Sequence, residues 1–150
     1  MKRGSTIVLV AATVLAAPIA LAFESVLRWL LFPPDFETVR AFLEPFLTPL
    51  AWLLVGISAL AGIAGTFAQR AMAARRIARL GPSAAPVQID AVRNQVFLIT
   101  ASIPQLPTIA STFAFMFGAS LVPTLVGVAI GTLSVLAQGV VLVKSGGDGS

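Results

Sequence analysis

Four stretches of this chain contain no charged residue: Gly4 to Phe23, Pro49 to Ala68, Asn94 to Ala119 and Ser120 to Val143. A hydrocarbon layer about 30 Å thick is crossed by roughly 20 apolar residues wound as a helix, and each stretch reaches that length. Strands of a membrane barrel would alternate polar and apolar residues, whereas runs such as Ile7-Val8-Leu9-Val10-Ala11-Ala12 do not. The pattern predicts an all-α integral membrane protein, a four-transmembrane-helix bundle.

Composition agrees. Of 150 residues, 57% are hydrophobic and 11% charged, so the polar residues are too few to clothe a soluble domain of this size. Histidine, cysteine and tyrosine are absent, which removes imidazole and thiolate catalysis, disulfides and the usual zinc and haem ligands. No cofactor or metal is expected, and neither a catalytic triad nor a phosphate-binding glycine loop is present. The chain reads as non-enzymatic.

The boundaries follow from local chemistry. The first span, taken as a helix over about 5–31, begins with Met1-Lys2-Arg3 and contains Ala20-Leu21-Ala22, which also suits a secretory leader; it is read as retained. Phe32-Pro33-Pro34-Asp35 breaks the chain. Asp35 then offers a cap for a short outer interfacial helix over about 36–44, with Phe36, Val39, Phe42, Leu43 and the following Phe46 on its apolar side and Asp35, Glu37, Arg40 and Glu44 toward water. Pro45 is expected to end it, and Thr48-Pro49 to start the second span, 49–80, which stops at Gly81-Pro82. Asp90 offers a cap for the third span, 91–117, which ends near Gly118, and Ser120 offers one for the fourth, 121–143, so the connection is very short. All four belong to one domain, 1–150.

Orientation comes from the basic residues. Lys2, Arg3, Arg70, Arg75, Arg76, Arg79, Arg93 and Lys144 fall on one side of a four-span layout, and Arg28 and Arg40 on the other. The positive-inside rule puts both termini in the cytoplasm of a cell with the chain in its cytoplasmic membrane. Trp29 and Trp52 fall near the outer headgroup level, where indole rings are favoured.

Small residues let helices approach in lipid, where no hydrophobic drive pulls them together. Ser58, Gly62, Gly65 and Gln69 form one face of the second span, and Gly127, Gly131, Ser134 and Gln138 form one face of the fourth with related spacing. Packing within the bundle is the simpler reading; a seam between copies of the chain is the alternative.

Three groups carry what chemistry there is. Glu24 and Arg28, four apart near the outer end of the first span, read as an interfacial ion pair rather than a proton relay. Pro104 and Pro107 free the carbonyls of Thr100 and Ile103, and Gln105, Thr108 and Thr112 lie on one face where they would satisfy a bend or line a polar site. Arg70, Arg75, Arg76 and Arg79 form a cytoplasmic basic patch whose plain role is topology and contact with anionic headgroups. Nucleic-acid binding is not expected, since no aromatic residues interleave with the arginines. The partners expected are the lipid bilayer and other membrane subunits or copies of this chain. The preferred function is a non-enzymatic integral subunit that packs within a larger membrane assembly. The alternative is a small homo-oligomeric channel or transporter with its polar site at the proline bend of the third span.

Overall fold

The structure, a computed structural model, describes residues 3–147, with side chains over 4–144; Lys2 and the side chain of Arg3 lie outside the described residues. It is all-helical: α1 spans Arg3–Leu31, α2 Phe36–Leu80, α3 Pro86–Phe117 and α4 Leu121–Gly147. Each helix is long and apolar enough to cross a membrane.

The arrangement is a central pair with two flankers. α3 and α4 pack on each other, α2 packs on both, and α1 also packs on both, yet the backbones of α1 and α2 do not approach one another. Antiparallel helices joined by so short a turn ordinarily pack as a hairpin.

The interior inverts the usual order of a soluble core. Most buried positions are taken by small and polar residues, among them Ala17, Ala51, Ala101, Ser58, Thr100, Thr108, Ser111, Thr112, Thr124 and Gln138, while Phe97, Val135 and Leu142 add a small apolar cluster. Large apolar side chains such as Trp29, Phe42, Leu60, Phe67, Leu106 and Val122 stand outside. Water would penalise such a surface heavily, whereas lipid accepts it and leaves close packing and hydrogen bonds to hold the helices.

Several boundaries differ from the sequence expectation. No separate interfacial helix exists: residues 36–44 continue through Pro45 and Pro49 into the second span as one helix of 45 residues. Such a helix reaches about 68 Å, more than twice a hydrocarbon core. A proline removes one hydrogen bond and crowds one carbonyl, here those of Ala41 and Pro45. Ala41, Pro45 and Pro49 are all exposed, so both defects fall on the unpacked side. The packed side is pinned on each flank of Pro45, by the Arg40 guanidinium donating to the Phe115 carbonyl (3.4 Å) and by Thr48 Oγ1 accepting from the Ser120 N–H (3.0 Å). Thr48 therefore docks the α3–α4 connection instead of capping a helix. Asp35 does sit at the N-cap of α2, without a side-chain cap hydrogen bond.

The third helix starts at Pro86, five residues before the expected start, and Asp90 lies inside it. A residue preceding proline is driven to extended backbone, and proline is pre-set for the first helical turn. Ala85 is extended (φ −66°, ψ 144°), and the Gln88 side chain accepts from its N–H at 3.1 Å. At the other end Gly118 takes φ +135°, and Ala119 N–H reaches back to the Ala114 carbonyl at 2.9 Å. α4 runs four residues beyond the expected Val143, to Gly147.

Candidate functional site

The site builds on α3, where Thr100, Pro104, Thr108, Ser111 and Thr112 recur at helical spacing and are all buried. Ser58 of α2 meets this face, its hydroxyl lying 2.9 Å from the Pro104 carbonyl and 2.8 Å from Thr108 Oγ1. Thr108 Oγ1 is also 2.9 Å from the Pro104 carbonyl and 3.4 Å from the Gly127 carbonyl of α4. Each hydroxyl has one proton to donate, so Ser58 and Thr108 form a short relay that ends on a backbone carbonyl. Thr124 of α4 donates to the Ser111 carbonyl (3.3 Å), and Ser111 Oγ donates to the Thr108 carbonyl (2.7 Å). The result is a polar seam through the centre of the bundle, closed on every side by helix.

Gln105 leaves this cluster and donates through Nε2 to the Thr13 carbonyl of α1. Pro107 is partly buried beside it. The hydroxyls and the amide thus bond elsewhere than to Thr100 O and Ile103 O, the carbonyls that the two prolines release. Thr100 O is met instead by bare backbone, since a Cβ built on Gly65 would stand 3.3 Å from it. Gln105→Leu removes one bond between α1 and α3, and its expected cost is about 0.6 to 2 kcal/mol, the range of single hydrogen bonds between helices in lipid. Thermal unfolding in detergent measures it; a wild-type midpoint would mean that the Gln105 bond holds nothing.

The expected Glu24–Arg28 pair is not formed. Glu24 is buried, 4% exposed, and its Oε1 accepts from the Thr112 hydroxyl of α3 at 2.9 Å, while Oε2 has no partner. Arg28 reaches Glu37 at 3.6 Å and lies 4.8 Å from the centroid of the Phe115 ring. Adjacency along one helix allowed the pair, but the Pro33-Pro34 turn carries Glu37 back within reach of Arg28, and α3 offers Glu24 a hydroxyl. Glu37 also accepts from Arg40 at 2.7 Å. Arg40 itself, expected in water, is only 6% exposed. Its burial was readable only with α2 taken as continuous, because residues 40, 47, 51, 55 and 58 then follow one face.

The small-residue positions lie between helices of this chain. A Cβ on Gly62 would collide with the Ser134 side chain, and one on Gly65 would come within 2.9 Å of Gln138 Nε2. Gly127 lies against Ser111 and Val55, and Gly131 against Thr108. Gln69 Nε2 donates to the Gln138 carbonyl at 3.2 Å, while both amide atoms of the buried Gln138 side chain and Oε1 of Gln69 have no partner. Of the basic patch, Arg70 lines a cavity near Gln69, Arg76 donates to Gln95 Oε1 at 3.1 Å, and Arg75 and Arg79 are exposed.

No known protein family, curated protein or solved structure matches this chain. The site is therefore read from its own chemistry: neutral hydroxyls and amides, one buried carboxylate, and a cluster of Arg28, Glu37 and Arg40 at one end.

Proposed function

We propose that the chain is an integral protein of the cytoplasmic membrane, both termini cytoplasmic, and that it works as a non-enzymatic subunit packed within a larger membrane assembly. The inverted bundle supports membrane residence. The basic residues of α2 and α3 at one end support the orientation.

The observation that carries the subunit reading is the position of α1. It is tied to α3 through Gln105 and Thr112 at the strip that includes Ala17 and Glu24, while Ile7, Val8, Leu15, Ile19, Phe23 and Val26 stand open. Its flank and that of α2 are left apart rather than sealed against each other. Lipid or a helix of another protein fits such an apolar, unsealed flank. Conduction through one copy has less in its favour, because the hydroxyls at the proline bend are fully buried and spent on neighbouring backbone. The lack of histidine, cysteine and tyrosine supports the non-enzymatic part.

A photoreactive residue placed at Leu15 or Ile19, followed by purification from the native membrane in mild detergent, tests the assignment. The expected result is a cross-link to another protein that also co-purifies in fixed ratio. Recovery as a lone chain, or cross-links only to copies of itself, would overturn it. Orientation is tested by Asp35→Cys and Ser83→Cys with an impermeant thiol reagent: Asp35→Cys should label in intact cells and Ser83→Cys only after permeabilisation.

A further inference from the structure

At the arginine end of the bundle a cavity of about 250 Å³ opens between α2, α3 and α4. Arg70 comes to it from α2 and Arg93 from α3, and the rest of its lining is Gln69 and apolar residues such as Ile77 and Leu142, with no acidic side chain. Among the described residues, neither arginine has a carboxylate partner. Two cations brought to one cavity without a counter-charge repel each other, and an anion between them reverses the sign of that interaction.

We propose that this cavity holds the headgroup of an anionic phospholipid bearing a hydroxylated phosphodiester, of the phosphatidylglycerol kind. The inference rests on the membrane reading above. Depth supports a lipid: Arg70 stands about 32 Å along α2 from Pro49, one hydrocarbon thickness, and Arg93 directly precedes the charge-free stretch of α3. Both guanidiniums therefore sit at headgroup level, where the planar fork matches phosphate oxygens. The same face of α2 continues from Arg70 toward the bilayer centre as Phe67 and Ile63, 68% and 61% exposed, an apolar track for an acyl chain that a free anion would not use. Gln69 supplies the finer discrimination. It lines the cavity while only 4% exposed; its Nε2 donates to the Gln138 carbonyl, and its Oε1 has no donor. A glycerol hydroxyl is a donor; a bare phosphate dianion is not.

The test uses the full chain in nanodiscs of phosphatidylcholine doped with phosphatidylglycerol or phosphatidic acid, with retained lipid counted by native mass spectrometry. The expected result is retention of phosphatidylglycerol over phosphatidylcholine by about thirtyfold, the combined weight of two headgroup-level arginines. Arg70→Gln with Arg93→Gln should bring the ratio near unity, whereas Arg75→Gln with Arg79→Gln, the same charge change outside the cavity, should keep it. Gln69→Leu should narrow the margin of phosphatidylglycerol over phosphatidic acid. Equal losses in the two arginine double variants would overturn the proposal in favour of diffuse surface charge. Equal displacement of the lipid by soluble glycerol phosphate would overturn it in favour of a free-anion site. Extraction of the chain from vesicles by alkaline carbonate would instead sink the membrane reading, and this inference with it.

Discussion

Gly131→Leu is expected to prevent recovery of a folded bundle. At Gly131 even a Cβ would overlap the Thr108 hydroxyl and lie 3.1 Å from the Thr108 Cβ and Cγ2. Thr108 cannot turn aside cheaply, being fully buried, β-branched and bonded to Pro104 and Ser58. The leucine must therefore push α4 off α3. Overpacking costs about 1 to 3 kcal/mol, and each seam hydrogen bond opened adds about 1 kcal/mol, so the loss is roughly 3 to 5 kcal/mol. Gly62→Leu, aimed at the Ser134 side chain, should fall short of this because Ser134 is only partly buried. Gly56→Leu is the control: nothing lies within 4 Å of its Cβ position, and it should leave the protein unchanged. Size-exclusion profile and thermal midpoint in detergent measure all three. A Gly131→Leu protein that elutes and melts like wild type would show that α3 and α4 do not meet at Thr108.

The second large effect is expected at Gly118→Ala, where backbone meets backbone. Gly118 has φ +135°, a conformation that L side chains rarely adopt, and its Cβ would stand 2.8 Å from the Arg40 carbonyl oxygen and 3.1 Å from the Arg40 Cα. Strain of this kind costs about 1 to 3 kcal/mol by itself. The collision adds to it, because no rotamer moves a backbone atom. A total of about 3 kcal/mol or more is expected, read as a lower midpoint of thermal or denaturant unfolding. Arg40→Ala supplies the check, since removing the guanidinium leaves the offending carbonyl in place. The double variant should regain nothing over Gly118→Ala, and any rescue would mean that the clash involves the Arg40 side chain.

These two glycines divide what the residues announce from what they conceal. Gly131 belongs to a spaced set on a charge-free helix, and a contact face follows from spacing alone. Gly118 is by residue type an ordinary helix stop, and nothing local announces that Arg40, far away in sequence, packs upon it. The misreading of Pro45 has the same root. A proline forbids one hydrogen bond, and whether the helix ends there depends on what holds the residues on either side; here the partners of Arg40 and Thr48, on α3 and the α3–α4 connection, do so. Once α2 is taken as broken, the burial of Arg40 can no longer be read. Glu24 and Arg28 failed for a related reason, because spacing along one helix offered a partner and neighbouring segments supplied others.

What the amino-acid sequence determined by itself is the number of long apolar helices, their small-residue faces and the end at which the arginines gather. These depend on residue type and helical period, which act within a few turns. Only the tertiary structure decided which face meets which: Gly62 on Ser134, Gly131 on Thr108, Ser58 on the Pro104 carbonyl, Glu24 on Thr112, and Arg70 beside Arg93. Those pairings follow from how four rods share one interior, where a hydroxyl or a missing side chain has value only through the atom that arrives opposite it. The same holds for the length of α2, because its proline defects are tolerated through contacts made far away in the chain.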